Sequence, residues 1–245
     1  MSSRPMVTAL LCLAAGCGTG PLDAVELDMV AHWTFDEGMG SRVLDSSPNH
    51  FDGALNGSTW SWLPQGRFGA ALHLEQGDYV TVDNFPSATR SWTVSVWIQI
   101  ASQNVGMGEM TVISTEEVFV GGWEMNLTST SASESQYHFG FHVGPGPVDY
   151  DHSECVNCIQ TDTWQHVTTV VDGSAKTLTL YLEGVPQAPA SLRQTILPGV
   201  STLYMGRWAT SDPARLLTGS LDDISIWNRA LRADEIAALT RAPAQ

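Results

Sequence analysis

The feature that most constrains the fold is the alternation of apolar and polar side chains in short runs that end in turn residues. The clearest run is SWTVSVWIQI, residues 91–100, in which nearly every second side chain is apolar. Side chains two residues apart lie on the same side of a β-strand, so this period indicates a strand with one face in a core. The apolar face consists of Trp92, Val94, Val96, Ile98 and Ile100.

Other runs with this period predict further strands. KTLTLYLEG places Leu178, Leu180 and Leu182 on one face and ends in the turn pair Glu183-Gly184. WQHVTTVVD ends at Asp172-Gly173, a second turn signal. WEMNLTS and YHFGFHVG are predicted to pair, and STLYMGR and SLDDISIW follow late in the chain.

The sequence predicts one short helix, close to its C-terminal end. In NRALRADEIAAL, Leu231, Ile236 and Leu239 have helical spacing, and Asp234 and Glu235 fall in the first turn, where the helix dipole favours acids. Many short strands with one terminal helix are typical of an antiparallel β-sandwich. We therefore predict an all-β, antiparallel two-sheet sandwich that forms a single domain over residues 29–245.

The charge of the chain excludes some partners. The 245 residues include 26 acidic and 11 basic side chains, which gives a formal net charge of −15. Such a surface repels phosphate backbones and anionic headgroups, so nucleic acid is not an expected partner.

The N-terminus resembles an export signal. MSSRPMVTALLCLAAGCGTG has a basic residue, an apolar run from Val7 to Ala15 and then small residues. LAAGC resembles a bacterial lipobox, in which Cys17 is lipidated. We expect a signal peptide at residues 1–16, a tether at 17–28 and attachment through lipid to the cell envelope, in the outer membrane. Ordinary cleavage, which leaves Cys17 as a free thiol and the protein secreted, is the alternative.

Several segments, in order, resemble laminin-G-like jelly rolls of the concanavalin A type. They are VAHWTFDEGMGSRVLDSSPNHFDGAL, GRFGAALHLEQGDYVTV, SWTVSVWIQI, TWQHVTTVVDGSAKTLTLYLEGV and YMGR with GSLDDISIWNRALRADEI. The resemblance covers roughly residues 29–239 and implies a jelly-roll sandwich. Pro48, Glu183 and Arg232 depart from the family pattern, which commonly has Gly, Asn and a Ser or Thr helix cap there.

The acidic loop FDEGMGSRVLDSSPNHFDGAL suggests either a calcium site or a turn system. Calcium takes six to eight oxygen ligands, and the candidates are Asp36, Glu37, Asn49, Asp52 and Asp222. Asp222 has the strand parity of Ile224 and Ile226, so we expect its carboxylate to face the apolar side and to need compensation. The resemblance also implies calcium, which many relatives hold. Alternatively, Asp36, Asp45 and Asp52 accept hydrogen bonds within turns.

Cys155 and Cys158 form a Cys-x-x-Cys pair in DYDHSECVNC. In an exported protein we expect a local disulfide. Zinc held by both cysteines with His152, and with His142 or His166, is an alternative, as is a redox thiol.

Nine tryptophans divide into core and surface candidates. Those on alternating runs are expected to be buried: Trp92, Trp97, Trp123, Trp164 and Trp227. Trp60, Trp62 and Trp208 lie in segments that read as loops, and they are the candidate sugar-stacking platforms.

The sequence carries no paired carboxylates of the kind that retaining glycosidases place about 5–5.5 Å apart. The strand WEMNL contributes a lone Glu124, and no Glu-x-Asp-x-x-Glu pattern is found. We therefore expect a non-catalytic, exported module that binds carbohydrate or an extracellular protein. A glycan-cleaving hydrolase or lyase and a structural envelope component are the alternatives.

Overall fold

The computed structural model describes residues 28–88, 90–102, 108–116, 121–129, 136–144, 150–193, 198–209 and 215–241. The predicted signal peptide, Cys17 and all of the predicted tether except Asp28 lie outside the described residues. Within the described part of the chain, no helix has the length and apolar character needed to cross a bilayer.

The described residues form seventeen strands and one short helix. The strands are β1 Met29–Trp33, β2 Arg42–Val43, β3 Gly53–Asn56, β4 Ser61–Leu63, β5 Ala71–Leu74, β6 Tyr79–Val82, β7 Ser91–Gln99, β8 Gly108–Ser114, β9 Trp123–Ser129, β10 Gln136–Val143, β11 Asp151–Gln160, β12 Gln165–Asp172, β13 Thr177–Leu182, β14 Val185–Pro186, β15 Ala190–Ser191, β16 Leu203–Met205 and β17 Gly219–Trp227. The helix is α1 Ala233–Leu239.

The strands form two antiparallel sheets, as the sequence predicts. The first sheet has the order β14-β13-β12-β7-β17-β5-β4, with β1 on β17 and β15 on β13. The second has the order β11-β10-β9-β8-β16-β6-β3-β2. Some neighbouring strands are consecutive in sequence and others are distant, since β7 pairs with both β12 and β17 and β16 joins β6 to β8. These pairings confirm the two-sheet sandwich.

The core lies between the sheets and is built from the alternating residues. Val94, Val96 and Ile98 of β7 are fully buried, and Met125 and Phe141 face them from the second sheet's side of the same cluster. Trp92, Trp97, Trp123 and Trp227 are buried as predicted, whereas Trp164 is only half-buried.

A smaller apolar cluster lies under α1, on the outer face of the first sheet. Trp227, Leu231 and Ile236 belong to it. The carboxylate of Glu235 accepts a hydrogen bond from the backbone N of Arg232 at 2.7 Å and two more from the Arg229 guanidinium at 2.8 and 2.9 Å. Glu235 thus makes one half of a capping box, the bond from the N-cap backbone N–H, while the Arg232 guanidinium has no acceptor with which to make the other half.

The parity expected for Asp222 is wrong, because β17 contains a bulge. The pairing of β17 with β7 shifts between Asp222 and Ser225, and Asp223 has φ 49°. The extra residue turns Asp222 to the outer face, opposite Trp97, while Ile224 stays in the core. Asp223 is paired with His32 of β1, with Oδ1 2.6 Å from Nε2.

The sequence predicts that GSTWSWLPQG is a loop, but the segment contains a short strand. Ser61–Leu63 forms the edge strand β4, which pairs with β5, so Trp62 lies on a strand and Trp60 just before it. A three-residue edge strand carries too few alternating residues to stand out from its surroundings in the sequence.

Candidate binding site

The outer face of the second sheet carries a concentration of polar side chains. On β9, Trp123, Met125 and Leu127 point into the core, so Glu124 and Asn126 point outward. We call the outward side of the second sheet the polar face.

One row of cross-strand neighbours crosses the polar face. Tyr204 is opposite Ser114, Ser114 opposite Glu124, Glu124 opposite His142, and His142 opposite His152. Four strand spacings of about 4.8 Å make this row roughly 19 Å long. The face is therefore long enough for an oligomeric ligand.

A second row places an amide beside the acids. Thr111 is opposite Asn126, and Asn126 is opposite Gly140. A Cβ atom at Gly140 would lie 2.5 Å from Oδ1 of Asn126, so only glycine leaves space for this amide. Asn126 in turn donates from Nδ2 to Oε1 of Glu109 at 2.5 Å.

Arg215 connects the two acids at the centre of the face. Its Nη2 lies 2.8 Å from Oε2 of Glu109, and its Nη1 lies 3.2 Å from Oε2 of Glu124. The Thr111 hydroxyl donates to Oε1 of Glu124. The Glu124 side chain is 0% exposed, whereas Arg215 is 25% exposed and reaches solvent.

Burial sets the protonation of this cluster. Desolvation, with the nearby Glu109 charge, raises the pKa of Glu124 to about 8 against the opposing effects of Thr111 and Arg215. Desolvation likewise raises the pKa of Glu116 to about 7. Burial, with the charges of His152 and Arg215, lowers the pKa of His142 to about 4, so this imidazole is neutral near pH 7.

Aromatic rings flank the acids on both sides. The Arg215 guanidinium lies 4.2 Å from the ring centroid of Trp208, and that of Arg207 lies 4.5 Å from the ring of Tyr79. On the other side, the rings of His142 and Tyr150 stack at 4.7 Å. Flat apolar surfaces beside fixed hydrogen-bonding groups suit a polyhydroxylated ligand, which needs both.

The acidic loop uses its carboxylates on the protein's own backbone. Asp36 Oδ1 accepts from the N of Ala70 at 2.7 Å, and Glu37 Oε1 accepts from the N of Leu44 at 2.6 Å. Asp52 accepts from the N of Asp45 at 3.0 Å and pairs with Arg42 at 2.6 Å. Asp52 and Asp45, which accepts from the N of Ser47 at 2.8 Å, thus make the local hydrogen bonds that the sequence allows as the alternative to calcium, whereas Asp36 bonds to a residue 34 positions away.

The side chains of the other two calcium candidates also form hydrogen bonds with the backbone. Asn49 donates from Nδ2 to the carbonyl of Val30 at 2.9 Å. Asp222 Oδ2 accepts from the N of Arg67 at 2.7 Å and from the N of Phe68 at 2.9 Å. Burial raises the pKa of Asp222 to about 7, and its Oδ1 is buried without a hydrogen-bond partner in the described structure.

Three of the five calcium candidates, Asp36, Glu37 and Asp52, line one pocket, but their ligand atoms do not all lie within 4.8 Å of one another. Of the side-chain oxygens of these five residues, Glu37 Oε2 and Asp222 Oδ1 are buried and have no hydrogen-bond partner in the described structure. Within the described residues, one group of three or more acidic, His or Cys side chains has its ligand atoms within 4.8 Å of one another, and it is Glu109, Glu124 and His142 on the polar face. Calcium at the acidic loop stays a prediction.

Cys155 and Cys158 form a disulfide within β11. The pairing of β10 with β11 shifts between Tyr137, opposite Ile159, and Phe139, opposite Cys155, so β11 bulges between its two cysteines. Asn157 in this bulge has φ 51°. The disulfide therefore closes the bulge of an edge strand.

The three candidate platform tryptophans occupy two places. Trp60 and Trp62 form an edge-to-face pair, 6.4 Å between centroids, at the β4 edge of the first sheet. Trp208 belongs to the polar face and is 9% exposed beneath Arg215. The three do not form one platform.

The sequence singles out Glu124 but not its partners. Glu109 and Arg215 are 15 and 91 residues away from Glu124 in the sequence, so only the strand pairing brings them together. The available signal is the parity of Glu124 and Asn126, which alternate with Met125 and Leu127 on one strand.

The family follows from comparison with known proteins. Residues 74–237 match a laminin G family model of the concanavalin A-like lectin/glucanases superfamily. The chain belongs to this family. The resemblance seen in the sequence is thereby confirmed, and no curated protein matches the chain.

Solved structures with this fold include binding domains. Domain 4 of AbnA, an extracellular arabinanase from Geobacillus stearothermophilus, was solved with arabinotriose. It has a TM-score of 0.65 and 17% identity, over 87% of this chain and 98% of that one. The botulinum neurotoxin serotype D ligand binding domain, solved with N-acetylneuraminic acid, has a TM-score of 0.68 and 15% identity, over 90% and 52%.

A third similar structure contains a protein ligand. The binding domain of botulinum neurotoxin DC, solved with rat synaptotagmin II, has a TM-score of 0.66 and 14% identity, over 88% of this chain and 52% of that one. The chain thus spans about half the length of these neurotoxin domains. At these identities the likeness concerns the fold.

Proposed function

We propose that this domain is a non-catalytic binding module that recognises an oligosaccharide on the polar face. The observation that carries the proposal is the row Tyr204, Ser114, Glu124, His142 and His152, which joins aromatic rings at both ends to a hydrogen-bonding centre. Similar domains were solved with arabinotriose and with N-acetylneuraminic acid, which supports a sugar ligand. An extracellular or envelope protein is the alternative partner.

Binding is favoured over catalysis because Arg215 lies between the two acids. A glycosidase needs its two carboxylates free to face the scissile bond from opposite sides. Here Glu109 and Glu124 are both hydrogen-bonded to one guanidinium. A glycan-cleaving hydrolase or lyase with Glu124 as its acid is the second candidate, supported by the raised pKa of that buried carboxyl.

A glycan and polysaccharide array tests the proposal, in calcium and again in EDTA. Tyr204→Ala and Tyr79→Ala remove half-buried rings from the polar face and should weaken binding roughly tenfold. Trp62→Ala at the β4 edge is the control and should leave binding unchanged. Loss of binding in Trp62→Ala alone would place the site at that edge. An array without hits would instead favour an extracellular or envelope protein as the partner.

Product analysis on the same glycans separates binding from cleavage. Sugar released by the parent protein but not by Glu124→Gln would establish the enzyme. Saturable binding without product supports the binding module. The calcium arm also tests the acidic loop, since calcium held there should raise Tm over the EDTA sample, and Asp36→Asn should abolish the difference.

The proposed setting is the cell envelope. The apolar N-terminal run and Cys17 in LAAGC support export and lipid anchoring to the outer membrane. Growth with labelled palmitate and a Cys17→Ser variant tests this, since only the parent protein should take up label.

A further inference from the structure

We propose that Glu109, Glu124 and His142 bind a divalent transition-metal ion on the polar face. The three side chains come from three adjacent strands, β8, β9 and β10. One ligand atom from each lies within 4.8 Å of the others. An ion about 2.1 Å from each of two ligands spans nearly all of such a separation.

The ring nitrogens of His142 lie close to the two acids without bonding to them. Among the described residues, no hydrogen bond or ion pair joins the His142 ring nitrogens to Glu109, to Glu124 or to any other group. An imidazole nitrogen within 4.8 Å of two carboxylate oxygens, and not bonded to them, can share one metal ion with them. A metal ion satisfies the imidazole and both acids at once.

Glu116 adds an unpaired buried oxygen beside the cluster. This side chain is 4% exposed, and its Oε2 is buried without a partner in the described structure. Its charge interacts with Arg215 and Glu109, which places it beside the cluster. A carboxylate oxygen that is buried and unpaired is costly unless a donor or cation meets it.

Neighbouring side chains hold the two ligand carboxylates in place. Hydrogen bonds from Thr111, Asn126 and Arg215 fix the two ligand carboxylates and still leave them lone pairs. Such outer contacts orient the ligands of protein metal sites.

The ligand types select the metal class. One imidazole with carboxylates suits zinc or manganese better than calcium or magnesium, which prefer sites made of oxygen alone. This site is thus distinct from the calcium predicted at the acidic loop. The metal site can also be tested independently of carbohydrate recognition, because the titration contains no glycan.

Calorimetric titration of the EDTA-treated protein with Zn²⁺ and with Mn²⁺ tests the site. We expect one ion per chain, and a Kd raised roughly tenfold or more in Glu124→Gln and in His142→Gln. The matched control is His73→Gln, a histidine of the first sheet that contacts Glu75 at 3.3 Å, and it should bind as the parent does. Circular dichroism and Tm verify that each variant is folded.

Two results would overturn the site. One is the absence of binding below millimolar metal, and the other is an unchanged Kd in both folded variants. Co²⁺ absorption tests whether cysteines bind the ion, since intense thiolate charge-transfer bands would place it on Cys17 or on reduced Cys155 and Cys158 instead. A protein that binds no metal ion in these titrations but still binds glycans would overturn the metal site and leave the proposed function standing.

Discussion

The guanidinium of Arg215 lies against the fully buried carboxylate of Glu124, with Nη1 3.2 Å from Oε2. Arg215 lies outside the strands, before β17, and the fold brings it to Glu124 although the two residues are 91 positions apart. Arg215 is the one described basic side chain that contacts both Glu109 and Glu124. The organisation of the polar face therefore depends on this arginine.

Removing Arg215 should destabilise the fold through the charge that it leaves behind. At about pH 9, above the raised pKa of Glu124, Arg215→Met leaves an ionised Glu124 buried without its charged hydrogen-bond partner, and we expect a loss of about 1.5–3 kcal/mol. Glu124→Gln in the same background should recover most of the loss, because an amide needs no counter-charge. Urea denaturation of the parent, both single variants and the double variant measures this coupling. Additive losses would show that the two side chains do not interact.

The raised pKa of Glu124 predicts a stability that falls with rising pH. Between the unfolded value of 4.5 and the folded value of about 8, the native state holds a proton that the unfolded chain has released. The stabilising contribution is thus complete below pH 4.5 and is lost as pH rises through about 8. In EDTA, the parent should lose stability from pH 5 to pH 8 relative to Glu124→Gln, as urea denaturation at each pH would show. Glu75→Gln, at an exposed acid, is the control, and parallel pH profiles for the parent and Glu124→Gln would contradict the assignment.

The sequence predicts the fold well because the core strands depend on alternation alone. β7, β12 and β13 each carry several apolar residues at period two, and this pattern can be recognised without knowing the partner strand. The helix is equally local, since Leu231, Ile236 and Leu239 have helical spacing.

The site is harder to predict because it depends on pairing. The contact between Glu124 and Arg215 requires the register of β8 and β9 and the path of the chain after β16. One bulge at Asp223 was enough to reverse the face expected for Asp222, since a single extra residue changes strand parity.

Asp222 holds the loop 66–70 against the first sheet, and its removal should release that loop. Asp222→Ala loses the hydrogen bonds from the N atoms of Arg67 and Phe68, and should cost roughly 2–3 kcal/mol. Arg67, now 4.4 Å from the ring of Trp97, should become a faster site of tryptic cleavage. Asp222→Asn keeps an acceptor oxygen and should remain within about 1 kcal/mol of the parent. Equal cleavage rates in the parent and Asp222→Ala would show that the loop is held by other contacts.

The disulfide should contribute modestly to stability and little to binding. It closes a ring of only four residues, for which loop-closure entropy gives about 2 kcal/mol. Cys155→Ser with Cys158→Ser should lower the free energy of unfolding by no more than this, as should reduction of the parent, both followed by urea denaturation. The bulge begins after Cys155, beyond His152, the outermost residue of the binding row, and the acids of the polar face are on β8 and β9, so glycan binding should persist. Loss of binding in the folded double variant would instead place the bulge of β11 in the binding site, because the local order of that edge strand is what the disulfide controls.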